Sequence, residues 1–122
     1  MINWLALGVG VIAAFLLGWL VYGPVGFQKR WAEGTRIDPT PPESPPLPQM
    51  AAQIVFLILL AAVIAVTETN NSLGVAVLAI LAVAAQAASV GAWAQKSSFA
   101  IAVDTGYALG CGVVMILAHA IL

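Results

Sequence analysis

The side chains able to do chemistry are few, and most stand alone. Asp104 is an acid inside an otherwise apolar run, Phe99 to Leu122. A carboxylate in such a run is either a protonatable or ion-binding site or a hydrogen-bond anchor between helices. Tyr107 follows it by three residues, a spacing that puts both side chains on one helix face. Gln53 and Ser89, in two other apolar runs, fall at a similar depth, as does Tyr22. Asp104, Tyr107, Gln53 and Ser89 are therefore the candidate polar layer, with Lys96 in reach along its aliphatic stem. His119 has the chemistry to ligate a metal or haem. It stands alone near Leu122 and reads as solvated, so no metal site and no cofactor are expected. Gln86 reads as an inter-helix hydrogen bonder, and the single cysteine, Cys111, as a small apolar packer. Asp104 and His119 sit near opposite ends of one run, so no Ser-His-Asp or Cys-His set falls at one depth. HExxH, P-loop and Rossmann patterns are absent. The chain reads as no enzyme.

The elements that hold these residues follow from composition. Of 122 residues, 62% are hydrophobic and 7% charged. A soluble domain carries about 25% charged residues, so a soluble globule is excluded. Net charge is −1, and without a basic stripe nucleic-acid binding has no support. What remains is an integral membrane protein, with the lipid bilayer as its first partner.

Four apolar stretches mark the spans: residues 4–22, 50–66, 73–93 and 99–122. The first holds 19 residues, roughly 28 Å as a helix. That is close to one hydrocarbon thickness. Backbone groups in lipid must be paired within the segment, so each stretch reads as a helix. The fold class is all-α, one membrane domain of four transmembrane helices. Short links make the last three spans antiparallel neighbours.

The long connection, residues 23–49, has two parts. An interfacial segment at 25–34 carries Phe27 and Trp31 four apart, with both rings expected to dip toward lipid and Gly34 to stop the helix. Residues 38–49 hold six of the seven prolines and read as an extended polyproline arm. Lys29, Arg30, Arg36 and Lys96 all fall in loops 23–49 and 94–98, which share one side. The positive-inside rule places those loops in the cytoplasm and both termini in the periplasm. Trp4 anchors one interface; Trp19, Tyr22, Trp93 and Phe99 anchor the other.

Small residues recur every four positions. Ala6, Gly10, Ala14 and Gly18 form one ladder and Ala102, Gly106 and Gly110 another. Ladders of this kind let helices approach closely. They serve packing within one bundle, or one of them faces outward toward a partner helix.

The opening INWLALGVGVIAAFLLGWLVYGPVGFQKRW, with Asn3-Trp4 and Tyr22-Gly23-Pro24, resembles bacterial proteins of the domain-of-unknown-function family 1761. The closing KSSFAIAVDTGYALGCGVVMILAHAIL, with Asp104, Gly106 and Tyr107, is similar to that family's last segment. The resemblance implies a small bacterial four-span membrane protein and no known reaction; the expected location is the bacterial inner membrane. The expected role is a non-catalytic helix-packing or accessory subunit, in a homo-oligomer or a larger membrane complex. The alternative is a small dimeric proton-coupled transporter using Asp104.

Overall fold

The computed structural model describes residues 1–37 and 46–122. It has five helices: α1 (Trp4–Tyr22), α2 (Gln28–Thr35), α3 (Leu47–Thr69), α4 (Leu73–Trp93) and α5 (Ser98–Ile121). All but α2 are long and apolar enough to cross a membrane. The result is an all-α membrane bundle, with no strand among the described residues.

Local chemistry sets the helix ends. Asn3 Oδ1 accepts the Ala6 N–H at 3.0 Å, and Ser97 Oγ accepts that of Ala100 at 3.1 Å. Both are side-chain N-caps that satisfy a donor the first turn leaves free. Pro46 caps α3 and Pro48 lies in its first turn, where a missing N–H costs nothing and the fixed φ already suits a helix. Residues 46–49 therefore start a helix and are not part of an extended arm. The rest of the expected arm, residues 38–45, lies outside the described residues. At its other end α3 runs past Val66 to Thr69, where the Thr67 and Thr69 hydroxyls donate back to the Ile64 and Val66 carbonyls.

Three helix ends close in the same way. Arg36, Asn71 and Gln95 take left-handed φ values of 67°, 53° and 58°. The next N–H in each case reaches back five residues: Ile37 to Ala32, Ser72 to Thr67 and Lys96 to Gly91. This satisfies carbonyls that a helix end otherwise leaves unpaired. Gly34 is not the stop of α2; it lies inside the last turn, and Arg36 ends the helix.

α5 is the central element. It packs against α1 on one side and α4 on the other, while α3 closes on α1 and touches α4 and α5. α1 and α4 make no contact. The core runs through Ala14, Leu57, Ala61, Ile64, Ala76, Ile80, Tyr107, Cys111 and Met115. The α1 ladder faces this core: Ala6, Gly10 and Ala14 are buried, and Gly10 lies against Met115. The α5 ladder does so only at Gly110, which lies against Leu17. Ala102 and Gly106 are exposed, and they line a groove of about 370 Å³ with Leu17, Val21 and Phe27. Trp4, Trp19 and Trp93 are 69%, 67% and 87% exposed, free to lie in a membrane interface.

Candidate functional site

The site grows from one face of α5. Asp104, Tyr107 and Cys111 project toward the α1, α2 and α3 side at the end that carries the basic residues. Asp104 is the hub. Its Oδ1 accepts the Tyr22 hydroxyl at 2.6 Å and the Trp31 indole N–H at 2.8 Å. Its Oδ2 takes Lys96 Nζ at 2.8 Å. The Lys96 and Asp104 side chains are only 20% and 15% exposed. One carboxylate thus ties together the end of α1, the middle of α2, the α4–α5 turn and α5 itself.

Aromatic packing sets the donors in place. The Tyr22 and Trp31 rings meet edge-on with centroids 4.8 Å apart. Tyr22 meets Tyr107 in the same way at 5.4 Å. Lys96 Nζ lies 5.6 Å from the Trp31 ring centre, in cation–π range. On the outer side of α2, Arg30 stacks 3.8 Å over Phe99, and Phe27 packs edge-on to the same ring.

α2 can dock only because residue 34 is glycine. Its carbonyl accepts the Ser97 N–H at 3.0 Å. A Cβ at Gly34 would collide with Ser97 Oγ and lie 2.9 Å from the Ala100 Cβ. The same α2 face buries Ala32 and aims Trp31 inward. Trp31 therefore points at the carboxylate and not toward lipid; a fixed acceptor outweighs an interfacial position for its N–H. Tyr22, expected as an interfacial anchor, turns inward for the same reason.

A second polar chain begins at Tyr107. Its hydroxyl donates to the Ala14 carbonyl at 3.0 Å and accepts from Gln53 Nε2 at 2.8 Å. Gly18 makes room for it, since a Cβ there would sit 2.8 Å from the Tyr107 oxygen. Gln53 joins the layer through Tyr107 and not through Asp104. Ser89 is not in the layer at all: it is exposed on α4, which α5 separates from α1 and α2. Thr105, beside Asp104, leaves its hydroxyl buried without a partner. Sequence reasoning named Tyr22 and Lys96 as possible partners of Asp104 and missed Trp31.

Above the two chains lies a cleft of about 590 Å³ between α1 and α3, walled by Phe15, Trp19, Trp31 and Met50 among others. Its polar lining is Gln53, Tyr22 and Tyr107, whose hydroxyls and amide N–H are engaged with Asp104, the Ala14 carbonyl or each other. The cleft can take an apolar group, and its lining offers few free polar contacts.

These features define a small integral membrane protein, a four-span helical bundle tied at one end by a part-buried charge hub. The chain belongs to the family of proteins of unknown function DUF1761, whose profile matches residues 5–120. No curated protein and no solved structure matched it.

Proposed function

We propose that this protein is a non-catalytic helix-packing subunit of a bacterial inner-membrane assembly, associating through the outer face of α4. Gln86 carries this reading. It is exposed on α4 about 10 Å from the Trp93 end by helical rise. It makes no hydrogen bond among the described residues. An amide in hydrocarbon lacks water to satisfy it, so it favours a partner on another helix. Within the chain, α4 has its neighbours on the opposite face. Ala82, Ala85 and Ser89 are exposed beside Gln86 and are small enough to let a second helix approach.

The transporter alternative draws less support. A coupling carboxylate must exchange its proton or ion, whereas both oxygens of Asp104 are engaged with Tyr22, Trp31 and Lys96. Gln86→Leu separates the readings. Purified in mild detergent, the wild type should elute with a partner, its own copy or another chain. The Leu variant should lose that partner and keep its fold. Retention of the partner by Gln86→Leu, or a wild type that runs alone, would count against this role.

Orientation belongs to the same proposal. All four basic residues lie at the Asp104 end, in or beside α2 and the α4–α5 turn. The positive-inside rule turns that end to the cytoplasm. A periplasm-dependent phosphatase fused after Leu122 should be active, and one fused within the α4–α5 turn inactive.

A further inference from the structure

The basic end of the bundle carries cations that the Asp104 hub does not use. Lys96 is paired with Asp104. Lys29 and Arg30, on α2, are exposed. Neither makes an ion pair or a side-chain hydrogen bond among the described residues. Glu33, the one acid of α2, pairs with neither. Arg30 is nevertheless held in place. Its Cζ lies 3.8 Å over the Phe99 ring, and Phe27 packs edge-on to that ring with centroids 5.6 Å apart. Stacking uses the flat face of the guanidinium and leaves its edge N–H groups free for a pair of acceptor oxygens.

Phe99 is also a wall of the 370 Å³ groove between α1 and α5. Val21 and Phe27 line the groove beside it, and Ala102 and Gly106 continue the wall along α5. Tyr107 borders it too, but its hydroxyl is committed to Gln53 and the Ala14 carbonyl. The groove therefore offers hydrocarbon and no free polar group. Gly106 keeps it open, since a Cβ there would meet nothing within 4 Å. It closes at Gly110, where a Cβ would lie 2.9 Å from Leu17 Cδ2. From Phe99 to Gly110, α5 rises roughly 16 Å, about half of a hydrocarbon core. Trp19 and Trp93, at the end where the groove begins, are exposed as residues of a membrane interface are.

We propose that this groove holds one acyl chain of an anionic glycerophospholipid whose phosphate pairs with Arg30, with Lys29 adding its charge. Each half of the site selects one half of the ligand. The apolar groove takes a chain one leaflet long, and the fixed cation at its rim takes the anion that stands at the interface. Basic sites beside membrane-spanning helices recognise anionic headgroups in this way. A partner helix fits less well, because it crosses both leaflets whereas the groove ends where Leu17 closes on α5. The inference concerns α1, α2 and α5 and is independent of the α4 surface.

The test is native mass spectrometry of the intact protein in detergent, with dioleoyl phosphatidylglycerol or dioleoyl phosphatidylcholine added at equal concentration. The two lipids share their chains and differ in headgroup charge. One phosphatidylglycerol per chain should be retained, with more than about fivefold preference over phosphatidylcholine, the worth of one basic residue near an anionic surface. Arg30→Gln should remove most of that preference and leave phosphatidylcholine binding unchanged. Gly106→Leu should fill the groove and lower retention of both lipids by more than about fivefold. Arg30 is exposed and a side chain at position 106 meets open space, so both variants should fold and each can decide alone. Equal retention of the two lipids by the wild type overturns the proposal. A preference that survives Arg30→Gln does so too, since it would mark diffuse attraction to the basic end only. A wild-type dimer that Gly106→Leu dissociates with lipid binding intact would assign the groove to a second helix instead.

Discussion

Asp104→Ala should lower the stability of the bundle by about 3 kcal/mol, the low end of what removing one partner of a buried ion pair costs, because this pair is only part-buried. The loss has three sources. Lys96, 20% exposed, is left without its counter-charge. The Tyr22 hydroxyl and the Trp31 indole N–H each lose an acceptor, and an orphaned buried donor costs about 1–3 kcal/mol. These terms overlap, because all three groups share one carboxylate, so they do not sum. Lys96 can also swing its flexible stem toward water, a second reason for the low end. Unfolding in detergent, followed by near-ultraviolet circular dichroism, measures the change.

A second variant identifies the cause. Pairing Asp104→Ala with Lys96→Met removes the stranded charge and should recover part of the lost stability. The Trp31 and Tyr22 donors would remain unsatisfied, so recovery should be incomplete. Full stability in Asp104→Ala alone would mean that the hub does not hold α2 to the bundle. Asp104→Asn should fall between the two, since the amide oxygen still accepts but no longer balances Lys96.

The parts of this arrangement that the sequence made legible are those governed by local rules. Hydropathy located all four spans, since length and apolarity are properties of contiguous residues. The lone intramembrane acid marked Asp104, and helical spacing put Tyr107 beside it. Depth suggested Tyr22 and Lys96, and both reach the carboxylate. Depth alone failed for Ser89, because two residues at one level can face opposite ways, and α4 turns Ser89 outward. Trp31 was hidden for another reason. It lies outside the spans, and only the docking of α2 on the α4–α5 turn, which Gly34 permits, brings it to Asp104. Gly34 looked like a helix stop because glycine at a helix end usually signals one. Its use here is close approach. His119 looked solvated, yet its side chain is 5% exposed, because a position near Leu122 says nothing of the α3–α4 turn that folds over it.

The phase of α5 gives the second large prediction. Gly112→Val should cost about 1–3 kcal/mol or more, the range for forcing extra carbon into a packed core. Gly106→Val should leave stability close to the wild type. The two glycines are six residues apart on one helix, so propensity and composition treat them alike. Their surroundings differ. A Cβ at Gly112 would lie 2.5–2.6 Å from three side-chain atoms of Ile80. Ile80 is itself buried in the seam between α4 and α5, where a β-branched side chain has little rotamer freedom to withdraw. A Cβ at Gly106 meets nothing within 4 Å. The ladder of Ala102, Gly106 and Gly110 is therefore the one the spacing makes visible, and it is not where α5 meets α4. The buried line runs through Ala100, Val103, Tyr107, Ala108, Cys111, Gly112 and Met115. It mixes large and small residues, as a core of interlocking side chains requires, so its four-residue repeat (Val103, Tyr107, Cys111, Met115) is not a ladder of small residues. Thermal unfolding of the two valine variants in one detergent distinguishes these faces. Equal losses at positions 106 and 112 would mean that both faces of α5 are packed. A loss confined to position 106 would reverse the helix's inner and outer sides.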